Sequence, residues 1–141
     1  MSNTTSEIES LLSQHQLRNT EKRRDILRLF LTNDFALSSK MIEESLKNHI
    51  DRVTLYRLLH SFEDKGLIHR VINKDNETFY ARCTSCHSQH TDEHLHFHCT
   101  SCNKVTCIKH ITTSSIIVPE GFEAKTINLD IYGICKKCNN D

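Results

Sequence analysis

Seven cysteines, all after residue 82, fall into three Cys-x-x-Cys pairs and one single thiol: Cys83/Cys86, Cys99/Cys102, Cys135/Cys138 and Cys107. Nothing else in the 141 residues constrains the fold as strongly. A short loop between two cysteines lets both sulfurs reach one ion, and two such pairs build a tetrahedral thiolate zinc site. The number is odd, and the N-terminal "MSNTTSEIES" lacks a basic region followed by an apolar core. Reduced thiols in the cytosol are therefore expected rather than disulfides of a secreted protein. Spacing alone leaves the pairing open: 83/86 with 99/102 makes a compact ribbon, whereas 99/102 with 135/138 ties the last strand to the first.

The stretch "EHLHFHCTSC", residues 93–102, adds histidines to this arrangement. Strand alternation sends His94, His96 and His98 to one face and Leu95 and Phe97 to the other. Imidazoles at alternate positions ahead of a Cys-x-x-Cys pair follow metal-ligand spacing. The competing reading is an edge strand with a polar outer face.

The absence of cysteine before residue 83 marks a change of composition and places a boundary near residues 81–91. Ahead of it the patterns are helical. Ser6–Glu9 has capping-box spacing, followed by Ile8, Leu11 and Leu12. Thr20 caps a second helix that buries Ile26, Leu27, Phe30 and Leu31. Ser38 or Ser39 opens a third, through Met41, Ile42 and Leu46. A fourth runs through "DRVTLYRLLHSFEDKGL", with Asp51 as its cap and Gly66 just past its end. Leu55, Leu58, Leu59 and Phe62 share one arc of it, and Val53, Tyr56, Arg57 and His60 share the opposite one. A tyrosine and an arginine side by side on an exposed face suit a DNA groove. Two β-prone runs, Leu67–Ile72 and Glu77–Arg82, then flank the turn-forming "NKDN". Helices, a reading helix and a hairpin occur in this order in a winged helix-turn-helix. Beyond the boundary, strands are expected at His94–His98, Lys104–Ile108 and Lys125–Ile131, with a turn at "PEG", 119–121.

Formal net charge is zero, which predicts modest non-specific affinity for nucleic acid. Arg18, Lys22, Arg23, Arg24 and Arg28 nevertheless cluster around one helix start, enough for local phosphate contacts. No apolar run is long enough for a membrane span. An enzyme is disfavoured: no His-Glu-x-x-His occurs, and no cysteine follows a proline as a zinc deaminase requires. A zinc-ribbon module that binds other proteins is the alternative from another class.

"LRNTEKRRDIL", "VTLYRLL", "DKGLI", "HLHFHCTSC" and "GFEAKTINLDIYGICKKC" stand in the order seen in the ferric uptake regulator superfamily of bacterial metal-responsive repressors. The chain resembles that family from about residue 15 to its end. The resemblance implies an α+β fold: a winged-helix DNA-binding domain over 1–82, a hinge over 83–91, and a small α/β dimerisation domain with a four-cysteine zinc site over 92–141. It implies Cys99, Cys102, Cys135 and Cys138 as structural zinc ligands. It places Tyr56 and Arg57 on the DNA-reading helix and Arg23 at a DNA-contacting position. It further implies a regulatory metal held by His69, Cys83, His94 and His96, with Cys107 as a reserve ligand. Family members that sense iron or peroxide usually add carboxylates there. Ala81, Cys83 and Cys107 depart from that pattern and resemble the zinc uptake regulator branch, so zinc is the expected regulatory ion and ferrous iron the alternative. The function implied is a homodimeric cytoplasmic repressor of metal-uptake genes, acting on inverted-repeat operator DNA. Cys86, His87, His90, His98 and His110 receive no role.

Overall fold

The computed structural model describes residues 2–46, 49–82, 95–108, 117–125 and 129–140. The chain forms two compact units, Met1–Cys83 and Thr84–Asp141.

The first unit packs four helices, α1 (Ser2–Gln14), α2 (Glu21–Thr32), α3 (Ser39–Leu46) and α4 (Arg52–Asp64), with a small sheet. The helix starts follow the capping chemistry. Thr20 accepts from the Arg23 amide at the head of α2, and Asp51 accepts from the Thr54 amide at the head of α4. Ser38 does the same for Met41 ahead of α3. Helix α1 departs from expectation: it begins at Ser2, so Ser6 lies inside it rather than capping it. No breaker occurs in Asn3–Thr5, and burial of Ile8 and Leu12 one and two turns later holds the extra turn in place.

Leu55, Leu59 and Phe62 of α4 join Ile26, Leu27 and Phe30 of α2 and Ile42 and Leu46 of α3 in one sixteen-residue core. At the end of α4, Gly66 takes φ +73°, and the amides of Leu67 and Ile68 bond to the Phe62 carbonyl. That use of their donors delays strand β2 to His69–Ile72, two residues later than the β-prone run. Its partner β3 spans Thr78–Ala81. The turn between them is held by the Asn73 side chain, which accepts from the amides of Asp75 and Glu77. A third strand, β1 (Leu37–Ser38), pairs with β3 to give the order β1-β3-β2. The fold of this unit is the expected winged helix-turn-helix, with β2 and β3 as the wing.

The second unit is built on strands β4 (Leu95–Cys99), β5 (Val105–Ile108) and β6 (Leu129–Gly133), in the order β5-β4-β6, with a short helix α5 (Lys136–Asn139). β4 is the central strand, antiparallel to β5 and parallel to β6. The edge-strand reading of the histidine segment therefore fails. His96 and His98 are both buried, so neither forms a solvent-facing row. β6 begins at Leu129, not Lys125. The turn at Pro119–Gly121 forms as expected, with the Phe122 amide on the Pro119 carbonyl and Gly121 at φ +86°.

Candidate metal centre and DNA-reading face

Parallel pairing of β4 with β6 places Cys99 opposite Gly133. The chain turns immediately after each. Beyond β4, Asn103 adopts φ +61° and its amide returns to the Cys99 carbonyl, which swings Cys102 back toward Cys99. Beyond β6, Cys135 heads helix α5, whose first turn carries Cys138 beside it. The Thr100 amide and hydroxyl both bond to the Gly133 carbonyl, at 2.7 and 3.2 Å, and lock the two turns together. Two sequence-distant Cys-x-x-Cys loops thus converge.

The four sulfurs lie within 4.8 Å of one another, and Cys102 Sγ is 3.8 Å from Cys135 Sγ. Zinc–thiolate bonds of roughly 2.3 Å in a tetrahedron require sulfurs about 3.8 Å apart. The donor set fits a zinc ion, and these four residues would hold it. The amides of Cys102 and Cys135 point at Cys99 Sγ from 3.5 and 3.3 Å. They favour its thiolate and bring the Cys99 pKa down to about 6. Cys138 moves the other way. A Ser101 hydrogen bond lowers its pKa, but the Cys135 thiol, burial, and the Cys102 and Cys99 thiols outweigh that and push it up to about 12. Four sulfurs this close cannot all ionise without a cation among them. The resemblance had selected 99/102 with 135/138, and the geometry brings those pairs together.

The remaining metal candidates are distributed as follows. His96 stands opposite Cys107 across the β4/β5 ladder, with a ring nitrogen within 4.8 Å of Cys107 Sγ. His69 begins β2 in the first unit and is half-buried. Cys83 and His94 lie outside the described residues. Composition had not singled out Asp130. It stands opposite His96 on β6 and receives a 2.7 Å hydrogen bond from His98 Nε2. Only knowledge of the strand register could have found it.

On α4, the face opposite the core is open. Val53 is 66% exposed, Tyr56 39%, and Arg57 and His60 also face solvent. The wing is tied to this helix through Arg70, which bonds Glu63 at 3.0 Å and lies over the Tyr80 ring. Arg23 is less free than the sequence implied. Its guanidinium bonds the Arg18 carbonyl at 3.1 Å, and its Nε is buried with no partner among the described residues. Arg24 and Arg28 are held by Asn19 and Asp25. Of the basic cluster, Arg18 and Lys22 are the most open to a phosphate.

A winged helix with an open helix face, in one chain with a cluster of four cysteines that could hold a zinc ion, is the build of a metal-responsive DNA-binding regulator. The chain belongs to the ferric uptake regulator family, whose model matches residues 14–132. It is 27% identical over 140 residues to the ferric uptake regulation protein of Staphylococcus aureus, covering 96% of this chain and 98% of that one. Against the corresponding protein of Staphylococcus epidermidis identity is 29% over 138 residues, covering 95% of each. Among solved structures it is similar to the ferric uptake regulator of Francisella tularensis with iron, at 27% identity and TM-score 0.61, over 87% of this chain and 95% of that one. A zinc uptake regulator complexed with zinc and DNA shares the fold at TM-score 0.69 and 21% identity, covering 99% and 95%.

Proposed function

We propose that the protein is a zinc-responsive repressor. Two copies associate through the second unit and present their α4 helices to successive major grooves of an inverted-repeat operator. Cys99, Cys102, Cys135 and Cys138 hold a structural zinc. A regulatory ion is held by His69, Cys83, His94 and His96, with Cys107 beside His96. The observation that carries the zinc reading is the cross-strand pair of His96 and Cys107, whose donor atoms come within 4.8 Å. An imidazole beside a thiol favours zinc over a hard, carboxylate-seeking ion. The similarity to a zinc uptake regulator complexed with zinc and DNA supports the DNA-binding part of this reading at the level of the fold, which an iron-bound regulator shares. The protein would work in the cytoplasm, controlling metal-uptake genes.

Binding of the regulatory ion can raise operator affinity only by favouring the arrangement of reading helices that fits both half-sites. The test begins with protein that retains its structural zinc and has an empty regulatory site. Binding duplexes are selected from a random library at fixed free zinc. Affinity is then measured by fluorescence anisotropy against free zinc and, anaerobically, against ferrous iron. Zinc-dependent binding at lower free-metal levels than iron supports the assignment. Response to iron alone makes the protein an iron-responsive regulator of the same family.

A further inference from the structure

The face of the second sheet that carries His96 holds polar groups that the proposed ligand set leaves unused. His98, two residues along β4, is 4% exposed. Its Nε2 bonds Asp130 Oδ1 at 2.7 Å, and its ring stacks on Tyr132 with centroids 4.5 Å apart and planes 13° from parallel. Nδ1 of the same ring is buried with no partner among the described residues. Asp130 Oδ1 also lies 3.9 Å from Nδ1 of His96. The register explains this grouping: His96 opposes Asp130, and His98 opposes Tyr132.

Burying an imidazole with an incomplete set of partners costs free energy that a valine or isoleucine would not incur. The arrangement is explicable if Asp130 must be held in one place. A metal-binding histidine commonly presents its second ring nitrogen to a carboxylate, which fixes the tautomer and the ring angle. Asp130 stands where that carboxylate would be. A gap of 3.9 Å is too long for a hydrogen bond, and a small rotation of the His96 ring would close it.

We propose that Asp130, held by His98 and its Tyr132 stack, is a positioning residue for the regulatory metal, orienting His96 through Nδ1 so that Nε2 is presented to the ion. This rests on His96 being a regulatory ligand. It adds a consequence for the two centres. β6 carries Asp130 and runs directly into Cys135, so the structural zinc anchors the strand that orients the regulatory ligand.

The test uses the full chain with its structural zinc in place and compares Asp130→Ala, Asp130→Asn, His98→Leu and His96→Ala. Regulatory-site affinity for zinc is measured by competition with a chelator. Cobalt loaded into the same site reports the ligand set through its absorption bands. Asp130→Ala is expected to weaken zinc by roughly 10–100-fold with cobalt bands in their wild-type positions. Asp130→Asn, which keeps an acceptor oxygen, should recover part of the loss. His98→Leu should weaken binding less, and add nothing on the Asp130→Ala background. Wild-type affinity in Asp130→Ala, while His96→Ala loses metal, overturns the positioning role alone. Displaced cobalt bands in Asp130→Ala make Asp130 a direct ligand and also overturn it. Wild-type binding by His96→Ala overturns the ligand assignment, and the positioning role with it.

Discussion

Replacing Cys135 with Ser tests whether the second unit is held by its metal. Among the described residues its buried apolar side chains are Leu95, Cys99 and Val105, against sixteen core residues in the first unit. Zinc held by the four thiols would add folding free energy to this unit directly. Structural zinc sites supply about 10–16 kcal/mol in favourable cases. If four thiolates share that evenly, one of them carries roughly 3–4 kcal/mol. At about 1.4 kcal/mol per decade, the variant should bind structural zinc some hundred- to thousandfold more weakly. Cys135 is the informative choice because its sulfur sits 3.8 Å from Cys102 Sγ, while the substitution leaves in place the backbone amide that supports the Cys99 thiolate. Zinc retention is followed against a chromophoric chelator, and unfolding of each unit by hydrogen exchange. Protection should fall across β4, β5 and β6 while α2 and α4 keep theirs. A Cys135→Ser protein that holds one zinc per chain as tightly as wild type would refute the assignment and return Cys83/Cys86 to consideration.

Tyr56→Ala and Arg57→Ala should each weaken operator binding by about 1–3 kcal/mol if the side chain reads a base. Both face solvent, so thermal unfolding should not move, and unchanged affinity in both would mean that another surface reads DNA. Gly66→Ala places a Cβ at φ +73° and should cost about 1–2 kcal/mol in denaturant titrations without altering zinc content. Zinc binding should also strengthen as pH rises through neutrality. Cys99 is already ionised above about 6, whereas Cys138, pushed up to about 12, must give up its proton to the solvent on binding. In metal-free protein the linkage runs with the opposite signs for the two thiols. The depressed pKa of Cys99 contributes stability that is complete above its ordinary value near 9 and is lost as pH falls through about 6. A zinc affinity flat with pH, in chelator competition at constant free zinc, would contradict this.

The winged helix was legible because its signals are local. Thr20 and Asp51 cap helices by bonds to residues three positions on, and Gly66 ends one by its own backbone freedom. The heptad-like spacing of Leu55, Leu59 and Phe62 needed no knowledge of a partner helix to be recognised as a core face. Boundaries were less visible wherever a backbone donor was claimed by a neighbouring element, as at Leu67 and Ile68, or where an element was too short to carry a period, as at Leu37–Ser38.

Sites follow the same division. Cys-x-x-Cys spacing is local and announced a thiolate centre, but choosing which two pairs meet depends on β4 running parallel to β6, a pairing between residues more than thirty positions apart. Family resemblance supplied that choice, because the residues alone could not. Asp130 and His98 show the limit more sharply. A lone aspartate in "INLDIYG" and the last histidine of "HLHFH" carry no pattern in common, and an alternating His-x-His also admits the lesser reading of a solvent-facing edge. They come together only through the parallel register of β4 and β6, which brings His98 Nε2 to within 2.7 Å of Asp130 Oδ1 and leaves the buried His98 ring in need of a partner. Strand order therefore gathers the candidate site residues: Cys99, the cross-strand His96–Cys107 pair and the Asp130 carboxylate sit on β4 or its two immediate neighbours, and Cys102, Cys135 and Cys138 follow directly on β4 and β6.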